Sequence, residues 1–193
     1  MLDLFDTPIL PGLRTRPDII DREEESMLIA QINATDPTPF KFQGWTGKRL
    51  TTSFGWAYDF EAGRPVAAEP LPGWLLPIRD RAACFAQLDL ILLIQALLIR
   101  YDPGAGIGWH RDRPVYEDVI GISLGEPATM RFRRRREGGF ERAAIPLDPR
   151  AAYHLGGAAR HDWEHSIVEM DRPRWSITFR SLSMIGQRTI VRH

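Results

Sequence analysis

The sequence predicts an α+β, mainly β fold: a double-sheet β barrel of jelly-roll type with helices set against one sheet. Two features predict it. From Leu90 onward the chain is a series of short strand-like runs, ILLIQALLIRY, DVIGISLG, TMRFRRR, FERAAIPLD and RWSITFRSLS, broken by turn residues. Ahead of them, residues 21–32 and 73–87 carry apolar residues at helical spacing. With 193 residues, 44% of them hydrophobic, the chain is long enough for one domain with a substantial core. No internal repeat, low-complexity segment or linker divides it, so residues 1–72 read as an N-terminal extension and 73–185 as the core.

Taken in order, residues 1–20 are punctuated by proline, and Ile9, Leu10, Ile19 and Ile20 are expected to pack on the outside of the core. Asp21 and Glu24 form a capping box that opens a short helix with the stripe Met27, Leu28 and Ile32. Glu23, Glu24 and Glu25 read as its solvated face. The segment PFKFQGWTGKRLTTSFGWAYDF (39–60) reads as one or two hairpin strands. Its Trp45, Phe54, Trp56 and Tyr58 fit a core. Interleaved with Lys48 and Arg49, they also fit a surface that stacks an extruded base and contacts phosphates. Residues 61–72 turn loop-like, because AGRPV and EPLP break any regular element. In the helix expected over 73–87, Leu75, Ile78, Ala82 and Phe85 form the packed stripe, and Cys84 reads as an inert buried thiol.

Composition excludes several classes. The 25 basic and 25 acidic residues cancel, so any nucleic-acid affinity has to come from local patches. One cysteine excludes an internal disulfide framework and suits a reducing cytoplasm. MLDLFDTP has acids and an early proline where a signal peptide has a basic region and an apolar run. The longest apolar stretch, LDLILLIQALLI, is interrupted by Gln95 and too short to span a bilayer comfortably, so no membrane association is expected.

The chemistry concentrates in YDPGAGIGWHRD (101–112), a glycine-rich turn running into His110, Arg111 and Asp112. In alternating backbone His110 and Asp112 share a side and can grip one ion, with Arg111 pointing elsewhere. A lone HxD is weak evidence; His165, in HDWEHSI, supplies a third ligand. Two histidines and one carboxylate make the facial triad of non-haem Fe(II) oxygenases, whereas a structural zinc site would be closed by four ligands rich in cysteine. RWSITFRS alternates so that Arg174, Ser176, Thr178 and Arg180 share one face and Trp175, Ile177 and Phe179 the other. Two guanidiniums on a barrel-lining face can bind the carboxylates of a dicarboxylate in forked geometry. His154 and His161 are left out of the metal sphere. In MRFRRRR (130–136) alternation sends Met130 and Phe132 inward and Arg131 and Arg133 outward, which reads as an edge-protecting hairpin or a phosphate-contacting patch.

HRD at 110–112, His165, RWSITFR at 174–180 and the preceding RYDPG resemble the HxD, distal His and RxxxxxR signature of the AlkB family of Fe(II)- and 2-oxoglutarate-dependent dioxygenases, in order and spacing, over residues 90–183. The resemblance implies a double-stranded β-helix, with Fe(2+) held by His110, Asp112 and His165, and with 2-oxoglutarate and O2 as cosubstrates. It implies that Arg174 takes the distal carboxylate of 2-oxoglutarate, Arg180 the one nearer the metal, and Tyr101 a further hydrogen bond. Residues 1–72 would then hold a nucleotide-recognition lid, with Gln43, Arg49, Trp56 and Tyr58 as lid residues and Arg111 as a further substrate contact. The implied function is oxidative dealkylation of N-alkylated bases in DNA or RNA, in alkylation damage repair, by a cytoplasmic monomer without a protein partner. Two positions depart from the DNA-repair pattern: Ile99 stands where an asparagine is usual, and Pro114 where an acidic residue reaches the base. These departures motivate an alternative, the same chemistry on a modified tRNA base, a protein side chain or a small molecule. A catalytically silent binding module has no need for the three ligands and two arginines, and a zinc hydrolase does not explain the arginine face.

Overall fold

The computed structural model describes residues 9–42 and 45–191. In chain order the elements are β1 (Leu13–Arg16), α1 (Arg22–Ala34), β2 (Thr38–Phe42), β3 (Trp45–Phe54), β4 (Trp56–Asp59), β5 (Arg64–Ala67), α2 (Leu76–Ala86), β6 (Gln95–Tyr101), β7 (Ile107–His110), β8 (Tyr116–Gly125), β9 (Ala128–Arg136), β10 (Gly139–Leu147), β11 (Ala152–Leu155), α3 (Gly157–His161), β12 (Glu164–Ile167), β13 (Arg174–Leu182) and α4 (Met184–Val191). Short 3-10 turns at Gly73–Leu75 and Leu90–Leu92 precede α2 and β6.

The strands form a seven-stranded sheet, β1-β11-β8-β13-β6-β3-β2, a four-stranded sheet, β10-β9-β12-β7, and a two-stranded ribbon, β4-β5. All pairings are antiparallel. β13 lies between β8 and β6, so both its edges are hydrogen-bonded and it sits inside the large sheet. One face, with Ile177 and Phe179, packs with Ile120, Ile122, Leu98 and the helix residues Leu28, Ile32, Ile78 and Ala82. Across the large sheet a second core gathers Ile99, Tyr101, Val119 and Tyr153 with Met130, Phe132 and Ile167 of the small sheet. Helices on one side and a smaller sheet on the other make a jelly roll, and the polar face of β13 looks into the gap between the sheets.

Local expectations fare unevenly. The capping box is present, with Glu24 N donating to Asp21 Oδ1 at 2.8 Å and Asp21 N to Glu24 Oε2 at 3.0 Å. Met27, however, is exposed, and Leu28 and Ile32, with Ile29 partly buried beside them, carry the packed face of α1. The glutamates are not simply solvated. Glu24 pairs with Arg81 of α2, and Glu25 accepts from Gly125 N and Arg150 Nη1 at 2.8 and 2.9 Å, fastening α1 to the end of β8. Cys84 is exposed rather than buried, because it falls on the side of α2 away from Ile78, Ala82 and Ala86. AGRPV does not break the chain: it supplies β5, which pairs with β4 in a separate two-stranded ribbon and packs against α4. Leu90–Leu92 coils before the strand starts at Gln95, and Ile9 is exposed. Among the described residues no helix is long and apolar enough to cross a membrane.

Candidate metal and cosubstrate site

The site is built on the small sheet and closed by the large one. β12 pairs with β7 so that His165 stands directly opposite His110, their ring centroids 4.3 Å apart. β7 ends at His110, and the chain turns to bring Asp112 Oδ2 within 3.7 Å of His165 Nε2. One donor atom from each of the three residues lies within 4.8 Å of the others. The Gly108 carbonyl, 2.9 Å from His110 Nδ1, can only accept, so it fixes the Nδ1–H tautomer and leaves Nε2 for a ligand. The turn ahead of β7 is shaped by Gly104, whose φ of +81° lets its N–H reach the Met170 carbonyl at 2.7 Å.

Arg180, from β13, donates to Asp112 Oδ1 through Nη2 at 2.8 Å and Nε at 3.1 Å, and through Nη1 to Gln95 Oε1 at 3.2 Å. Burial alone would raise the Asp112 carboxyl. Arg180 and the two histidines outweigh it and hold the group far below the usual carboxylate range. Burial also lowers His110 and brings His165 down to about 3, so both imidazoles are neutral, the ligating form, at neutral pH.

Six residues along β13, Arg174 is buried to 1% exposure. Its Nη2 donates to Ser123 Oγ at 3.0 Å, and its guanidinium lies 5.3 Å from the Tyr101 ring centre. Nε and Nη1 have no hydrogen-bond partner among the described residues. A buried guanidinium with free donors is costly unless an anion completes it. Tyr153, whose hydroxyl burial pushes up to about 12, closes the space around Arg174. The residues therefore fit both absent groups: N2O donors suit Fe(II), and orphaned forked donors suit a carboxylate.

The lid positions are distributed differently. Arg49, on β3, lies with its guanidinium 4.1 Å above the Phe40 ring, its buried Nε without a hydrogen-bond partner among the described residues and its charge coupled to those of Asp112 and Arg180. Tyr58 reaches the loop after Asp112, where Arg113 lies 5.2 Å from the Tyr58 ring and 4.9 Å from that of Phe60. Trp56 shares the Tyr58 side of β4, opposite Ala67. Arg111 is exposed and donates to the His161 carbonyl at 3.2 Å. Gln43 lies outside the described residues. His154 is held between Asp118 and Arg14, and His161 pairs with Glu117. Ile99 joins the apolar wall beside Tyr101, and the Pro114 carbonyl accepts from Ser183 Oγ at 2.6 Å.

Sequence reasoning missed Gln95, Ser123, Tyr153 and Arg160. The last is buried and donates to the Arg113 and Tyr116 carbonyls at 2.6 and 2.8 Å, pinning the loop that carries Asp112. A polar residue inside an apolar run was the available signal for Gln95 and Ser123.

A jelly roll holding a His-Asp-His triad beside buried arginines defines the class of 2-oxoglutarate- and Fe(II)-dependent oxygenases. Residues 12–186 match the 2OG-Fe(II) oxygenase superfamily, and the chain belongs to that family of dioxygenases, which use Fe(II), 2-oxoglutarate and O2. Its relatives are of the AlkB type. It is 30% identical over 169 residues to the mouse tRNA (carboxymethyluridine(34)-5-O)-methyltransferase ALKBH8, covering 82% of this chain and 24% of that protein. It is 29% identical over 195 residues to the Alkylated DNA repair protein ALKBH8 homolog of Arabidopsis thaliana, covering 86% and 54%. The chain thus spans about a quarter to a half of the length of these relatives. The structure of OsALKBH1 superposes with a TM-score of 0.68 at 14% identity over 88% of this chain and 96% of that one, which establishes the shared fold.

Proposed function

We propose that this single-domain chain removes N-alkyl groups from nucleobases of DNA or RNA by oxidation, in alkylation repair. The observation that carries the nucleic-acid reading is the pair of arginine–aromatic stacks where the 39–60 segment meets the metal loop, Arg49 on Phe40 and Arg113 on Tyr58 and Phe60. Rings beside fixed cations suit a base lifted from its strand with its phosphates attached.

Fe(II) held by His110, Asp112 and His165 would supply the O2 chemistry that couples oxidative decarboxylation of 2-oxoglutarate to hydroxylation of a C–H bond. The chain's own residues bind and orient. Arg174, with Ser123 and Tyr101 beside it, takes the carboxylate of 2-oxoglutarate far from the metal. Arg180 and Gln95 hold Asp112 in place at the metal end, and Tyr153, Ile99 and Phe132 keep water out. On an N-methyl group, hydroxylation gives N–CH2OH, which breaks its C–N bond to release formaldehyde and restore N–H.

A second reading, the same chemistry on a modified tRNA base, is favoured by the tRNA-directed name of the mouse relative together with apolar Ile99 and exposed Pro114 at two departures from the repair pattern. A cytoplasmic setting suits the exposed, unbridged Cys84.

The test is anaerobic reconstitution with Fe(II), followed by O2, with and without an oligonucleotide carrying 1-methyladenine or 3-methylcytosine, and with His110→Ala as control. Formaldehyde that requires oligonucleotide, 2-oxoglutarate and His110 is the expected result. Succinate without formaldehyde would move the substrate to the second reading, and the absence of both products would overturn the oxygenase itself.

A further inference from the structure

The outer face of the small sheet carries a feature that the site does not use. Met130, Phe132 and Ile145 point into the core. The alternate positions of β9 and β10 therefore face solvent, where register sets Arg133 opposite Arg142 and Arg135 opposite Phe140. On the β7 edge of the same face stands Trp109, with the Arg133 and Arg131 guanidiniums 4.5 and 5.2 Å from its ring centre. Arg133, Arg135 and Arg142 surround the Phe140 ring at 4.8, 5.7 and 5.7 Å. The nearby carboxylates are already taken: Glu164 by Arg133, and Glu141 by Arg134 and Arg136 at the hairpin tip. Among the described residues Arg131, Arg135 and Arg142 form no ion pair, in a chain whose net charge is zero.

We infer that this face is a binding platform for single-stranded nucleic acid, phosphates on the arginines and bases on Trp109 and Phe140. Charge complementarity selects the occupant. Edge protection requires charge on β10 alone, whereas here the cations are aligned across two strands and alternate with rings, the pattern that holds a flexible polyanion with exposed π-faces. The face also leads to the site. Trp109 and His110 are consecutive on β7 and face opposite sides of the sheet, so a strand crossing the β7 edge passes from the platform to the metal side within one residue. The inference rests on the nucleic-acid reading above, and it assigns the path of the strand that flanks the reacting base.

The test is fluorescence anisotropy of the full chain with a labelled 12-nucleotide single strand across a salt series, alongside succinate formation from 2-oxoglutarate without oligonucleotide. For Arg135→Gln/Arg142→Gln we expect binding about tenfold weaker at low salt and a log–log salt slope shallower by about 1.4, from roughly 0.7 for each phosphate no longer neutralised. Phe140→Ala should weaken binding by about fivefold or more without changing the slope. Both variants should form succinate as the parent does, which shows them folded. If the parent binds and demethylates while both variants match it in affinity and slope, the platform is overturned and the proposed function stands. If the parent shows no salt-dependent binding and no formaldehyde, both fall.

Discussion

An unfolded histidine titrates near 6.5, whereas burial and the neighbouring charge of His110 bring His165 down to about 3 in the fold. Between those values the unfolded chain holds a proton that the folded chain refuses, so stability falls as the pH drops through that window. His110 adds to the loss in the same direction, and Asp112, whose carboxyl is depressed, adds its share only in more acid solution. The metal-free protein should therefore show a urea midpoint that declines steadily from pH 7 to pH 5; a flat profile would count against a neutral, buried His165. Arg174 makes the complementary case. Its buried Nε and Nη1 have no hydrogen-bond partner among the described residues, so Arg174→Met should leave the ligand-free protein as stable or more so. The same change should weaken 2-oxoglutarate binding at least about a hundredfold, the loss of two charge-assisted hydrogen bonds. Calorimetric titration and thermal unfolding of the one variant read both, and a destabilised variant with intact binding would remove Arg174 from the cosubstrate site.

At the scale of elements, β8 and β11 wall the candidate cosubstrate pocket through a close approach. Gly121 faces Tyr153, and a Cβ built on Gly121 would sit 2.1 Å from Tyr153 Cζ, so the ring lies flat across β8 only because that position is glycine. Gly121→Ala should cost roughly 1–3 kcal/mol, as overpacking does, and should displace the ring from beside Arg174. Because the clash needs both partners, the alanine should add little in a Tyr153→Ala background; equal penalties in the two backgrounds would show that the ring is not the obstacle. None of this was legible in the sequence. The polar and apolar faces of β13 were, because alternation is local and Arg174 to Arg180 spans a single strand. Pairings across long stretches of chain, such as Arg180 with Gln95 or Arg174 with Ser123, depend on strand register that no local pattern encodes. The same limit explains β5: proline and glycine signalled a break, and pairing with β4 overrode it.

For the whole molecule, the decisive arrangement is that the histidines belong to the small sheet and the arginines to the large one. Motif order along the chain pointed to the candidate ligands, but only the packing of the two sheets brings them and the arginines to one place. A metal held on one sheet and a dicarboxylate reaching Arg174 on the other would tie the sheets together, so the two ligands should bind cooperatively. Mn(II), which suits the same nitrogen and oxygen donors, allows the test without turnover. A hundredfold excess of Mn(II) over its Kd should stabilise the fold by about 2.7 kcal/mol, or roughly 5–10 °C in a chain of this size, and EDTA should reverse it. Mn(II) should also tighten 2-oxoglutarate, and 2-oxoglutarate should tighten Mn(II) by the same factor, since coupling between two sites is reciprocal. Asp112→Ala should abolish the Mn(II) stabilisation and with it the coupling, leaving weak binding of 2-oxoglutarate through Arg174 alone. Strong, metal-independent 2-oxoglutarate binding in the parent would mean that the two sheets hold separate sites.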